Sequence, residues 1–188
     1  MVELHFIYVV LYASVAASTL VATLIVWRRR AARGARSLAV LMLGVAIWSG
    51  AAAAMWYVPT LGQQVFWVTA ENLGLWMVPV GFLRVAFDIA GMERWRAPGR
   101  MALISIASFA LVNIEWLNPG RLFDKAFVAR TMGPYTHFAS IPGPLYWAYA
   151  AFAYALVFVT CVIRSDIAPS AVLVRLRDID PFVMLEVY

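Results

Sequence analysis

The chain has little of the chemistry on which soluble enzymes are built. Of its 188 residues only 13% are Asp, Glu, Lys or Arg, two are histidine and one is cysteine. Soluble domains carry about 25% charged residues, so this composition excludes an ordinary water-exposed globule. The lone Cys161 excludes an intrachain disulfide and any CxxC spacing. No GxSxG, P-loop, HExxH or GxGxxG motif occurs, so no catalytic residue is assigned and the chain is expected to be non-enzymatic. His5 opens the first apolar run and His137 lies in the loop TMGPYTHFASIPGP. Both read first as interfacial or loop histidines, with ligation of haem, metal or pigment as the alternative; no metal site and no evident cofactor follow.

What the chain has instead is apolar length. It is 64% hydrophobic with a mean hydropathy of +0.80. A helix rises 1.5 Å per residue, so roughly 20 residues cross the ~30 Å hydrocarbon slab. Five runs meet that measure or approach it: 6–27, 37–57, 65–91, 101–117 and 145–163. The fold class expected is all-α, a polytopic membrane bundle of five transmembrane helices over residues 1–164. A short cytoplasmic tail, 165–188, follows, with AVLVRL and FVMLEV as two strands or short interfacial elements. The connection 118–144, punctuated by NPG, GP and PGP, is expected to hold one or two amphipathic turns around LFDKAFVAR.

The net charge of +5 is spread unevenly, and its distribution argues for topology rather than nucleic acid. Arg28, Arg29, Arg30, Arg33 and Arg36 fill one short turn; Arg94, Arg96 and Arg100 follow helix 3; Arg164, Arg175 and Arg177 follow helix 5. The alternate connections hold Arg121, Lys125 and Arg130. Eleven positive charges against three give an N-out, C-in orientation. Tyr8, Trp56, Tyr57, Phe66, Trp67, Trp116, Tyr146 and Trp147 gather at the outer end, where aromatic belts form. Eight tryptophans and eleven phenylalanines could also contact lipid or pigment.

Charges inside the spans need a reason. The run 65–91 carries Glu71, Arg84 and Asp88. Arg84 and Asp88 are four residues apart on one helical face, which reads as a snorkelling interfacial pair or as a coupling or partner contact. Glu71 has no partner nearby in sequence, and a buried carboxylate so placed is expected to protonate or to find a donor on another helix. Glu115 falls at the outer end of helix 4 beside Trp116. Glu71, Arg84, Asp88, Glu115 and His137 are therefore the candidate ligand or partner contacts. Small residues recur every four positions at Ala46, Gly50 and Ala54, at Ala13 and Ala17, and at Ala151 and Ala155, faces that let helices approach closely.

The order of these signals resembles the N-terminal seven-helix membrane sensor region of bacterial histidine kinases and diguanylate cyclases. The stretches that carry the likeness are the apolar first helix with its basic turn, RSLAVLMLGVAIWSGAAAAMW, ENLGLWMVPVGFLRVAFDIAG, NIEWLNPG and GPLYWAYAAFAYALVF. The resemblance covers residues 6–163 and implies a sensor or localisation module that signals to cytoplasmic output domains. The family pattern continues with two further spans and then a PAS, kinase or cyclase domain, so this chain reads as a version truncated to five helices. The expected function is a non-enzymatic membrane sensor of the bacterial cytoplasmic membrane, in contact with lipids and a signalling partner. The alternative is a structural accessory subunit of a respiratory or photosynthetic complex, packed against other membrane subunits. A transporter is disfavoured because no inverted repeat is seen.

Overall fold

The computed structural model describes residues 4–177 other than 96, 133 and 134, with side chains described over 5–163 other than 96, 119, 132–135 and 137. Six helices follow one another: α1 (Leu4–Arg28), α2 (Ala35–Tyr57), α3 (Leu61–Leu75), α4 (Met77–Ala90), α5 (Pro98–Asn113) and α6 (Pro144–Arg177). Two short 3-10 turns, Ile114–Trp116 and Pro119–Arg121, and two strands, β1 (Asp124–Met132) and β2 (Tyr135–Pro142), lie between α5 and α6. Among the described residues four stretches are long and apolar enough to cross a membrane: His5–Arg28, Ala35–Tyr57, Leu61–Ala90 and Pro144–Ile163.

α2 is the central helix because its side chains are small on two sides. Ala39, Ala46, Ala51, Ala52 and Ala53 are buried. A Cβ on Gly50 would stand 3.9 Å from the Ala16 Cβ of α1, and one on Gly44 only 2.7 Å from the Met77 Cβ of α4. α1 packs on α2 and leaves Leu11, Val21 and Leu24 exposed. Its hydroxyls turn back onto their own helix, Ser14 donating to the Val10 carbonyl at 2.7 Å and Thr23 to the Thr19 carbonyl at 2.8 Å. Such internal satisfaction is what an apolar solvent demands. Ala13, Ala17, Ala151 and Ala155 are exposed, so these small-residue faces meet no described helix.

The single third helix expected over 65–91 is two. The break falls at Trp76, and its cause is Pro79. Proline has no N–H to give the carbonyl four residues back, here that of Leu75. The Tyr149 hydroxyl of α6 supplies the missing donor to the Leu75 carbonyl at 3.2 Å, and the Ser108 hydroxyl of α5 donates to the neighbouring Trp76 carbonyl at 3.2 Å. A proline break is stable inside apolar surroundings when neighbours satisfy the freed backbone in this way.

Three further expectations need correction. The fourth helix closes at Asn113 rather than residue 117, and Glu115 sits on the 3-10 turn beyond it. The connection expected to hold amphipathic turns is an antiparallel hairpin, registered from Ala126 opposite Ile141 to Met132 opposite Tyr135, with a bulge between Asp124 and Ala126. It therefore adds strand to a fold expected to be all-α. The last helix does not stop at residue 163 but continues to Arg177, which makes AVLVRL helical; FVMLEV lies outside the described residues.

The hairpin is tied down at its base and along one strand. The Asn118 side chain accepts from the Phe123 N–H at 3.0 Å and donates to the Asp124 carbonyl at 3.0 Å. Gly143 N–H bonds the Phe123 carbonyl, and Leu145 N–H bonds the Leu122 carbonyl at 3.0 Å. Gln64, fully buried at the start of α3, donates to the Val58 carbonyl at 3.0 Å and the Thr136 carbonyl at 3.3 Å and accepts from the Phe138 N–H at 3.1 Å. These bonds use the outer edge of β2, which would otherwise be an open strand edge.

Two buried clusters divide the bundle along its length. Val80, Leu83, Phe87 and Met101 pack with Leu156 and Ile163 toward the end that carries the basic turns. Val112, Phe123 and Tyr149 pack with Leu75 and Trp76 toward the hairpin.

Candidate functional site

Between the hairpin and α3, α4 and α6 lies a cavity of about 570 Å³. This is within the range of small-molecule pockets. The hairpin covers it with Phe123, Asp124, Ser140 and Pro142. Its floor is the proline break, Leu75, Val78 and Pro79, and its open flank along α6 is marked by Tyr154 and Val157. Tyr154 is 75% exposed, so the flank faces the surroundings of the bundle rather than its core.

Three carboxyl groups reach this space, each from a different element. Glu71 lies on α3 and accepts from the Trp48 indole N–H of α2, a donor on another helix, at 3.2 Å. Asn72, the next residue on α3, turns about 100° away and is buried, donating to the Glu115 carboxyl. Asp124, at the start of β1, is buried and accepts from the Ser140 hydroxyl across the hairpin. Glu115 and Asp124 also meet on the far side, where both line a smaller recess with Asn118 and Phe127.

The electrostatics of the pair follow from burial. Glu115 lies beyond the end of α5, and loss of water, then the neighbouring Asp124, raise its carboxyl from 4.5 to about 8, against the lowering pull of the Asn72 amide. Among the described residues no three His, Cys, Asp or Glu side chains form a group able to hold a metal ion.

The other candidates lie elsewhere. Asp88 is buried on α4 and accepts from the Ser37 hydroxyl of α2, whereas Arg84 is exposed one turn earlier. Ser37, one partner of Asp88, is on another helix, at the basic end of the bundle. There Gly91 closes α4 with φ 71°, and its Cβ position would stand 2.9 Å from a guanidinium nitrogen of Arg33. The turn of Arg28, Arg29, Arg30, Arg33 and Arg36 thus touches the C-terminal end of α4, where a helix favours positive charge. His137 is in β2, across from Arg130.

Sequence reasoning singled out Glu71 and Glu115 but missed Trp48, Asn72, Asp124, Ser140 and Tyr149. Pro79 was the available signal, since a proline deep in a span frees a carbonyl that something must satisfy.

A family model described as the N-terminal 7TM region of histidine kinase matches residues 10–172. No curated protein and no solved structure matches the chain. The matched span begins within α1 and ends within α6, so it takes in the cavity, the hairpin and both ends of α4. On that match the chain belongs to the N-terminal 7TM region family of histidine kinases and is an integral membrane protein of the sensor type.

Proposed function

We propose that the chain is a non-enzymatic sensor module that crosses the membrane five times, with the N-terminus and hairpin outside and the basic turns in the cytoplasm. The cavity takes a small ligand, and α4 carries its effect inward. One observation carries this reading: the same helix meets the cavity at one end and the basic turn at the other. α4 begins with Val78 and Pro79 in the cavity wall and ends at Asp88 and Gly91 against Ser37 and Arg33. Its 14 residues span about 21 Å. Ligand contacts that differ between two positions of this rigid element would shift their populations.

The fifth span in this reading is α5, 16 residues long. Residues 1–164 form the membrane domain and 165–188 the cytoplasmic extension. The grouping of eleven inner against three outer positive charges supports the orientation. In a Cys161→Ala background, Ala31→Cys should react only with reagent applied from the cytoplasmic side and Lys125→Cys only from outside.

The sensing step is tested without a known ligand by filling the cavity. Ala150 lines it from α6, and Ala150→Phe occupies it with a ring. Spin labels at Ala31 and Glu93 report the basic turn against the end of α4. A changed distance distribution on filling the cavity supports transmission, and an unchanged one in a folded protein removes it.

A second reading, a structural accessory subunit, is favoured by the exposed small-residue faces at Ala13, Ala17, Ala151 and Ala155. It requires recovery of the chain at fixed stoichiometry within a large assembly after gentle extraction, which mass spectrometry reads directly.

A further inference from the structure

The cavity described above has a chemical bias. Three of its lining residues are carboxylic acids, Glu71, Glu115 and Asp124, and no lysine, arginine or histidine is among those described. An anionic guest, a fatty acid or a phosphate ester, would meet carboxyl groups and find no cationic side chain to pair with among the described lining residues, which disfavours it in a low-dielectric site. A bare metal ion is disfavoured too, because no three of the described His, Cys, Asp or Glu side chains form a group able to hold one.

The rest of the lining indicates what accompanies a positive charge. Trp48, Tyr146 and Tyr154 bring aromatic rings to the same space, and Val68, Val78 and Ala153 bring apolar surface. Aromatic faces attract organic cations, most strongly where water is excluded. The Trp48 indole bond engages only one of the two Glu71 carboxyl oxygens, and a carboxylate has further acceptor capacity. The open flank at Tyr154 and Val157 lies on the helix whose outer face is apolar, Phe158 being 68% exposed and Val159 43%. An apolar tail would leave the cavity in that direction.

Resting on the sensor reading above, we propose that the cavity binds an amphiphilic organic cation, an ammonium group with an apolar body. The ammonium lies between Glu71 and the aromatic rings, and the body lies along the α6 flank.

The test uses hexyltrimethylammonium as probe, with hexanesulfonate as its anionic match and hexanol as its neutral one. The full chain is placed in phosphatidylglycerol nanodiscs, and binding above empty discs that excess unlabelled probe displaces is measured by equilibrium dialysis. The cation should bind saturably and the sulfonate should not. Glu71→Gln should weaken the cation roughly tenfold, as should Tyr154→Ala, which removes a ring at an exposed position where folding is not at stake. Equal binding of the sulfonate or hexanol, sensitive to Tyr154→Ala, overturns the cation assignment while leaving the cavity a ligand site. Absence of binding by all three probes overturns the assignment, and if Ala150→Phe also leaves the spin-label distances unchanged, the sensor reading falls with it. Phosphatidylethanolamine discs then separate the sources. Lost probe binding there makes a lipid ammonium headgroup the occupant, and unchanged binding makes it a free amine; both outcomes support the assigned chemistry.

Discussion

The hydroxyl of Tyr149 donates to the Leu75 carbonyl, the oxygen that Pro79 leaves without its helical partner. Two helices are thereby joined at the floor of the cavity by a bond that exists because of a proline four residues away. The arrangement predicts a specific dependence. Tyr149→Phe should lower stability by about 1 kcal/mol in detergent unfolding, the usual size for one such bond within a membrane protein. In a Pro79→Ala background residue 79 has its own N–H for Leu75, and the same Tyr149→Phe change should cost much less. Equal costs in both backgrounds would show that the hydroxyl does not compensate for the proline.

Close approach of α2 to α4 gives a second, two-sided prediction. A Cβ on Gly81 would lie 2.9 Å from the Leu41 Cβ and 3.0 Å from its Cα, so Gly81→Ala has to push backbone aside. It should destabilise by roughly 1–3 kcal/mol, as overpacking does. Gly62, near the start of α3, has nothing within 4 Å of its Cβ position. Gly62→Ala should stabilise by up to about 1 kcal/mol through helix propensity alone. The two variants, compared by thermal unfolding in one detergent, should move in opposite directions.

The features legible from sequence were those that follow from composition and period. Apolar length marked α1, α2 and most of α6, and the arginine clusters marked the turn whose Arg33 lies beside Gly91 at the end of α4. Glu71 and Glu115 stood out because a carboxyl in an apolar run needs a partner. What the sequence hid is non-local. The partners proved to be Trp48, 23 positions before Glu71, and Asn72, 43 before Glu115, and no spacing rule links such pairs. The hairpin was hidden for a similar reason: neither DKAFVARTM nor YTHFASIP alternates cleanly. Its anchors, Asn118 and Gln64, are read only once the chain has folded back onto them.

Gln64 carries the third prediction. Its fully buried amide bonds both a donor and an acceptor of β2, with the Val58 carbonyl as a third contact. Gln64→Leu keeps the bulk and removes every one of these bonds, leaving the Phe138 N–H and the Thr136 carbonyl to find water. Amide exchange at Phe138 should accelerate by roughly tenfold or more, while exchange in α2 stays near its original rate. Uniform acceleration through α2 would mean that Gln64 supports the whole bundle instead of holding the hairpin cover in place.

The last prediction concerns pH, and its sign follows from the Glu115 carboxyl. In the folded protein burial, then Asp124, hold this group up at about 8 against an ordinary value of 4.5, with Glu71 adding to the rise and Asn72 opposing it. Between those two values the folded chain keeps a proton that the unfolded chain has released, so unfolding is favoured as pH rises. Stability should be greatest toward the acid side of that window and should decline from about pH 5 to about pH 8. Glu115→Gln cannot ionise, keeps an acceptor for Asn72 and should flatten the slope. Unfolding midpoints of the two proteins measured across this range decide the matter. A parent protein that gains stability with rising pH, or a Gln variant with the parent's slope, would show that Glu115 does not hold the proton in the fold.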